Sequence, residues 1–318
     1  MSRTVAMTGV TGFIGWHVAR RFLDNGWRVR ALVRPESHRP VPAGVERIVA
    51  PLGEDDIVAA SDGVSLVVHV AGAVGDRSRS EFIRTNVDAT REVARAARRL
   101  GVRLLHTSSL GATGPRSPEH APAEDDPLRP INAYGESKRR SEEIVKGVDG
   151  LEWVIVRPTL VYGPRDRLFL PLFKLARRGV FPIPNPTAVY NVVHVEDVAR
   201  GFETVATTAA GGETFFLGDP NQVTITTLLQ QLASTFDRPF RPIAVPRIAL
   251  QAVAGIGSAV SMLGIRAPLD RARWKEIDAK GFVCRIDKAR DRLGFVASTD
   301  LREGLKETGE WYLRQGWL

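Results

Sequence analysis

Cysteine is almost missing from this chain: Cys284 stands alone among 318 residues. That excludes an intramolecular disulfide, so nothing here requires an oxidising compartment. Cys284 lies among Phe282, Val283 and Ile286, which reads as a packed residue and not a nucleophile. Histidine is sparse as well. The six copies show no ligand spacing toward one another or toward Cys284, so no metal site is expected. No Gly-x-Ser-x-Gly elbow surrounds Ser109, which excludes that form of acyl-enzyme chemistry. No internal repeat or low-complexity tract breaks the chain. The N-terminal apolar run is short and meets a glycine turn at once, so no signal peptide is read and a cytoplasmic location is expected.

Acidic residues are outnumbered, 36 against 44 Lys and Arg, for a net charge of +8. A basic chain invites a nucleic-acid reading. Here Arg far outnumbers Lys and the cations are spread along the chain. The densest run, Arg91 to Arg103, interleaves Val93, Ala94, Ala97 and Leu100, the pattern of an amphipathic helix with a solvated face. No nucleic-acid partner is expected. Long uncharged apolar runs are lacking with one exception, residues 248–265, which approach the ~20 apolar residues that span a bilayer. That stretch holds Gly255, Gly257, Gly264, Gln251, Ser258 and Ser261. Buried helices of a substrate-binding region are the first reading, and peripheral membrane contact is the second.

What the chain does have is glycine in a telling place. Thr8-Gly9-Val10-Thr11-Gly12-Phe13-Ile14-Gly15 follows the apolar run Val5–Met7. That is a strand, a tight turn and a helix start. One glycine permits the turn. A second lets the backbone approach a pyrophosphate at the helix N-terminus. A third lets helix and strand pack closely.

Beyond it, strand and helix patterns alternate. Strands are expected at Val5–Met7, Val29–Val33, Ile48–Ala50, Leu66–Val70, Arg103–His106 and Trp153–Val156. Helices are expected at Ile14–Asn25, Phe82–Leu100 and Ala133–Lys146. Such alternation means parallel strands with crossover helices. Gly9, Gly72, Ser109 and Pro158 all fall just after strands, where ligands sit in such sheets. Past Pro164 the rhythm changes. Leu168–Arg178 and Thr224–Phe236 read as helices, 181–186 as a proline-broken loop, and Val192–Val195 with Thr214–Leu217 as strands that return to the sheet system. The fold expected is α/β, a Rossmann-type doubly wound parallel sheet with a smaller discontinuous C-terminal substrate domain. Residues 1–165 plus roughly 188–219 form the dinucleotide-binding part, and 166–187 plus 220–318 the substrate-binding part.

Tyr134-Gly135-Glu136-Ser137-Lys138 places Tyr and Lys on one helix face. With the glycine turn and Ser109 upstream, the chain resembles the extended branch of the short-chain dehydrogenase/reductase superfamily. The nearest members are of the dihydroflavonol reductase and 3-beta-hydroxysteroid dehydrogenase kind, within the NAD-dependent epimerase/dehydratase family. The resemblance implies Tyr134 as acid/base, with a free-tyrosine pKa near ~10 lowered by the Lys138 ammonium and an oxidised nicotinamide. It implies Ser109 as the hydrogen bond to the substrate oxygen. In the family the active hydroxyl lies five residues before the last glycine of this loop, which selects Ser109, with Ser108 the fallback. It implies Asn86 as the asparagine that bends the long helix and orders a proton-relay water.

The same resemblance assigns cofactor contacts to Thr8, Gly9, Thr11, Gly12, Phe13, Ile14 and Gly15. It adds Ala71 and Gly72 under the phosphates and ribose, Tyr134 and Lys138, and Pro158, Thr159 and Leu160 beside the nicotinamide. Val193-His194-Val195-Glu196-Asp197 also matches the branch, with no catalytic role for His194. Arg34 ends strand two where an NAD-preferring fold places an acid against the ribose diol. Arg is a bidentate phosphate partner, so NADP(H) is favoured over NAD(H), with Arg39 assisting. One departure stands out: Pro51 occupies the place of the family Asp that touches adenine, leaving backbone groups near Leu52. The function expected is NADP(H)-dependent hydride transfer to or from a secondary alcohol or ketone of a bulky, apolar small molecule. The alternatives are an NAD-dependent sugar-nucleotide epimerase or dehydratase and a non-catalytic redox-sensing NAD(P)-binding regulator. A homodimer is expected from the superfamily's habit of pairing long helices.

Overall fold

The computed structural model describes residues 3–262 and 271–318. The first half of the chain builds strands β1 (Thr4–Thr8), β2 (Arg28–Val33), β3 (Glu46–Val49), β4 (Leu66–His69), β5 (Arg103–Thr107) and β6 (Trp153–Pro158). Four further strands matter below: β7 (Leu160–Tyr162), β8 (Val180–Ile183), β9 (Val189–His194) and β10 (Glu213–Leu217). The main sheet has seven strands in the order β10-β6-β5-β4-β1-β2-β3, with every neighbour parallel. This is the expected doubly wound sheet. The strand order reverses beside β1, so a crevice opens beyond the ends of β1 and β4.

Helices α1 (Phe13–Asp24), α2 (Glu54–Ala60), α3 (Arg79–Phe82), α4 (Ala89–Leu100) and α5 (Ala133–Lys146) cross over between these strands. Alternate side chains feed opposite faces. Val5, Met7, Val29, Ala31, Leu66 and Val68 pack with Val18 and Phe22 of α1. Ala6, Leu32, Val67 and Ile155 pack with Ile57 of α2, Val93 and Ala97 of α4 and Val145 of α5. Strands buried on both sides read as continuous apolar runs.

Past Pro164 come α6 (Leu170–Arg178), α7 (Val195–Thr208), α8 (Ile225–Ser234), α9 (Arg247–Met262), α10 (Arg271–Ile277), α11 (Asp287–Leu293) and α12 (Leu301–Arg314), with strands β11 (Gln222–Thr224), β12 (Arg241–Ala244) and β13 (Gly281–Phe282). A third core joins Phe173, Phe181, Leu228, Leu232, Leu305 and Tyr312.

Four expectations change here. Thr214–Leu217 returns to the main sheet, but Val192–Val195 does not. Its strand, β9, joins β7, β11 and β13 in a second sheet, because β6 already takes β10 as its outer neighbour. The proline-broken segment forms β8, a two-stranded parallel pair with β12. Pro182 is tolerated because a two-stranded sheet has only edges. The single helix expected over 82–100 is α3, a π-helical turn over Ile83–Asp88, and α4. The apolar stretch 248–265 is not a buried helix over its described side chains, as set out below. Residues 263–265 of it lie outside the described residues.

Candidate active site

The glycine turn carries the geometry its spacing implied. Gly9 has φ +78° and a Cβ there would stand 2.4 Å from the Ala71 nitrogen. A Cβ on Gly15 would stand 2.1 Å from the Gly9 carbonyl oxygen, so helix and strand touch through backbone alone. Gly12 caps α1 with no side-chain hydrogen bond, and the first turn holds no acid. The N–H groups there face whatever lies beyond β1, a ready anion site. Thr8 is buried, its hydroxyl 2.6 Å from His69 Nδ1 and accepting from the Ala71 N–H at 3.3 Å. Thr11, Phe13 and Ile14 are half-buried at the crevice edge.

Tyr134 and Lys138 lie one turn apart on α5, which Asn132 caps through the Gly135 N–H. Lys138 is buried and its Nζ donates to the Thr107 carbonyl at 2.8 Å. Burial lowers its pKa to about 8, with the Glu142 charge acting against the shift. A Cβ on Gly72 would stand 3.2 Å from both Lys138 Nζ and Asn86 Oδ1. Only glycine leaves the space above that ammonium open.

Burial pushes the Tyr134 phenol above its ordinary value, and a hydrogen bond with Ser109 works against that push. This direction is opposite to the lowering expected from Lys138. The physical reason is that the ring packs against Phe82 at 5.8 Å while the Lys138 ammonium is turned to a strand carbonyl. Ser109 accepts from the Gly111 N–H at 3.0 Å and stays part-buried. Ser108 is buried with its hydroxyl donated to Glu142 at 2.5 Å, so of the two serines Ser109 is the one beside Tyr134.

Asn86 sits in the π-helical turn, buried. Its side chain accepts from the Ala73 N–H at 2.6 Å and donates to the Ala73 carbonyl and to Ser137. Its own carbonyl accepts from the Thr90 hydroxyl at 2.7 Å. The residue therefore ties the loop after β4 to the helix of Tyr134, and π-turns of this sort recur at functional sites.

At the other end of the crevice, Arg34 is exposed just after β2 and no acid ends that strand. Arg39 is exposed too. Leu52 is half-buried beside exposed Pro51. Pro158 ends β6; Thr159 is buried and its hydroxyl has no partner among the described residues, and Leu160 is part-exposed.

Sequence reading missed two groups. Arg157 is buried and grips Glu142 with two 2.8 Å bonds. Its third goes to the Glu124 carbonyl. Burial would raise the Glu142 carboxyl, but the bonds and charge of Arg157 hold it below the usual range. A Glu one turn beyond Lys138 was the visible signal. Arg165 has φ 76° and its guanidinium lies 3.6 Å over the Trp16 ring. Burial and the charge of Arg39 both lower its pKa, which puts a second cation near Arg39. No periodic pattern marks it.

The model of the NAD dependent epimerase/dehydratase family matches residues 5–218. The chain belongs to that family. A Caulobacter vibrioides protein named ceramide reductase is 30% identical, over 99% of this chain and 96% of its own. Sterol demethylase protein B of Methylococcus capsulatus is 29% identical, over 99% of this chain and 100% of its own. Among solved structures, MoeE5 in complex with UDP-glucose and NAD is 26% identical, covering 98% of this chain and 99% of that one, with a TM-score of 0.78. As an extended short-chain dehydrogenase/reductase, the chain is an NAD(P)-dependent enzyme.

The residues present fit a dinucleotide. The uncapped start of α1 suits a pyrophosphate. The gap over Gly72 suits a ribose above Lys138. The orphaned Thr159 hydroxyl suits a polar group at the nicotinamide end.

Proposed function

We propose that this enzyme reduces a carbonyl on a bulky apolar molecule, or oxidises the matching secondary alcohol, with NADP(H). The observation that carries the reading is Tyr134 hydrogen-bonded with Ser109, and Lys138 buried one helical turn on, in a crevice that also holds the uncapped glycine turn and Arg34. When bound, the nicotinamide supplies or takes up the hydride. Ser109 donates a hydrogen bond to the substrate oxygen and holds it against Tyr134. The Tyr134 phenol, kept protonated by burial, hands its proton to that oxygen in the reductive direction. Lys138 holds the ribose below and replenishes the proton. Asn86 orders the proton-relay water and holds the loop after β4 through its bonds to Ala73. Arg34, with Arg39, takes the 2′-phosphate through charge-assisted bonds.

The apolar substrate is supported by relatives named for ceramide and sterol chemistry. In this reading residues 1–165 with 188–219 hold the cofactor, and 166–187 with 220–318 hold the substrate, in a cytoplasmic protein. One observation favours a second reading, an NAD-dependent sugar-nucleotide epimerase or dehydratase: the likeness to MoeE5 with its UDP-glucose and NAD.

The test follows nicotinamide absorbance with apolar ketones, hydroxysteroids and sugar nucleotides, with products analysed alongside. Net NADPH consumption with an apolar carbonyl is expected. Tyr134→Phe should cut turnover by about a hundredfold or more while leaving cofactor binding intact. Sugar-nucleotide conversion with no net cofactor change would sink the first reading and establish the second.

A further inference from the structure

α9 is an apolar helix that the described residues leave largely uncovered over 247–258. Ile248 is 81% exposed, Ile256 66% and Val253 51%. Ala249 and Ala252 are exposed beside them, and among residues 247–258 only Ala254 and Gly257 are buried. Ile243 of β12, just ahead of the helix, is 51% exposed. α9 packs on α10. An apolar surface of this extent on a monomer marks an interaction site.

The chain that carries it is basic, although α10 beside it and the residue that follows bring Glu276 and Asp278. No acidic residue occurs from Arg238 to Leu269. The end of α6, with exposed Lys174, Arg177 and Arg178, lies against the segment that leads into β12. Gly179 meets the backbone of Pro239, and the Arg241 N–H donates to the Gly179 carbonyl at 2.9 Å. Lys174, Arg177, Arg178, Arg238 and Arg241 are exposed and have no ion-pair partner among the described residues. Asp237 adjoins Arg238 in the sequence. A second copy seated here would bring these cations against themselves, because a two-fold interface is self-complementary. An anionic lipid surface instead meets both features, apolar face and basic flank. No helix among the described residues is long and apolar enough to cross a membrane, so the contact is one of lying on the surface.

The neighbouring helix α10 borders the site, which leaves α9 one helix away. Glu276 of α10 accepts from Asn132 at 2.6 Å, and Asn132 caps the helix that carries Tyr134. Arg247 at the start of α9 pairs with Asp278 just past α10.

We propose that α9 and the end of β12 rest in the interfacial layer of an anionic membrane, with the mouth of the site beside it. An apolar substrate then reaches Tyr134 from the lipid. That last step rests on the reductase reading; the docking does not.

The test is flotation of the full chain with vesicles of phosphatidylcholine alone or mixed with phosphatidylglycerol, at low and high salt and without substrate. Binding to the anionic vesicles, released by salt, is expected. Ile248→Ser with Ile256→Ser, and separately Arg177→Ala with Arg241→Ala, should each weaken partitioning roughly tenfold or more. Circular dichroism and NADPH affinity should stay unchanged. The proposal is overturned if the anionic vesicles do not bind the wild type, or if binding survives both variant pairs. A dimer in light scattering that the isoleucine pair dissolves would also overturn it and name a second copy as the occupant. Vesicle binding without any carbonyl reduction would refute the reductase reading and leave the docking standing.

Discussion

At the residue scale the site turns on where two charges are placed. Lys138 was legible as one turn from Tyr134, but not as a buried ammonium tied to a strand carbonyl. Its pKa is lowered from 10.5 to about 8, chiefly by burial. The unfolded chain then binds more protons than the folded one between those values, so this group makes stability rise with pH across that window. Below about 8 both states are protonated and the burial penalty is felt in full. Lys138→Met removes the group, so urea midpoints of wild type and variant should differ in favour of the variant near neutrality and converge toward pH 10.5. A pH-independent difference would contradict the assignment. The choice of Ser109 over Ser108 rests on the family's spacing in the sequence. In the structure it rests on Ser108 being bonded to Glu142.

At the element scale, backbone contact without side chains holds the glycine turn together. Gly15→Ala puts a Cβ 2.1 Å from the Gly9 carbonyl, which α1 must move to relieve. A loss of about 1–3 kcal/mol in denaturant stability is expected, with weaker dinucleotide binding in the same titration; an unchanged affinity would mean that α1 does not receive the phosphates. Between α5 and β6 runs the buried Arg157–Glu142 pair. Arg157→Ala strands a carboxylate among buried groups and should cost about 3–5 kcal/mol. Arg157→Met with Glu142→Leu, which removes both charges, should recover part of that in the same urea experiment. β1, β4 and β6 were readable because each is buried along nearly its whole length and largely apolar. A bend at Asn86 came from the family resemblance alone; periodicity gave one continuous helix, whereas the structure has a π-helical turn there, with Asn86 bonded to Ala73 and Ser137. β8 was hidden by its prolines, which forbid a central strand yet permit an edge.

At the scale of the whole molecule, a ligand that binds only the folded chain stabilises it by mass action. NADPH at a hundredfold excess over its Kd should add about 2.7 kcal/mol to unfolding stability. Arg34→Ala should reduce that gain for NADPH by about 1.4 kcal/mol, a tenfold weakening, and leave the gain from NADH unchanged. Thermal unfolding across a concentration series of each cofactor reads both. Equal gains from the two cofactors in the wild type would refute the preference. The exposure of α9 also belongs to this scale, because it depends on which elements the fold brings over that helix.

Amino-acid order settled the α/β class, the glycine turn, the Tyr134–Lys138 face and the missing acid after β2. Each is a local matter of periodicity, backbone freedom or charge, expressed within a few residues. Packing over long sequence separations decided the rest. It sent β9 to a second sheet while β10 closed the first. It buried Arg157 against Glu142 and brought Arg165 over Trp16. It left the side chains of α9 over 247–258 mostly exposed among the described residues, because a helix's own sequence sets how apolar it is, while only its neighbours set whether that surface is covered.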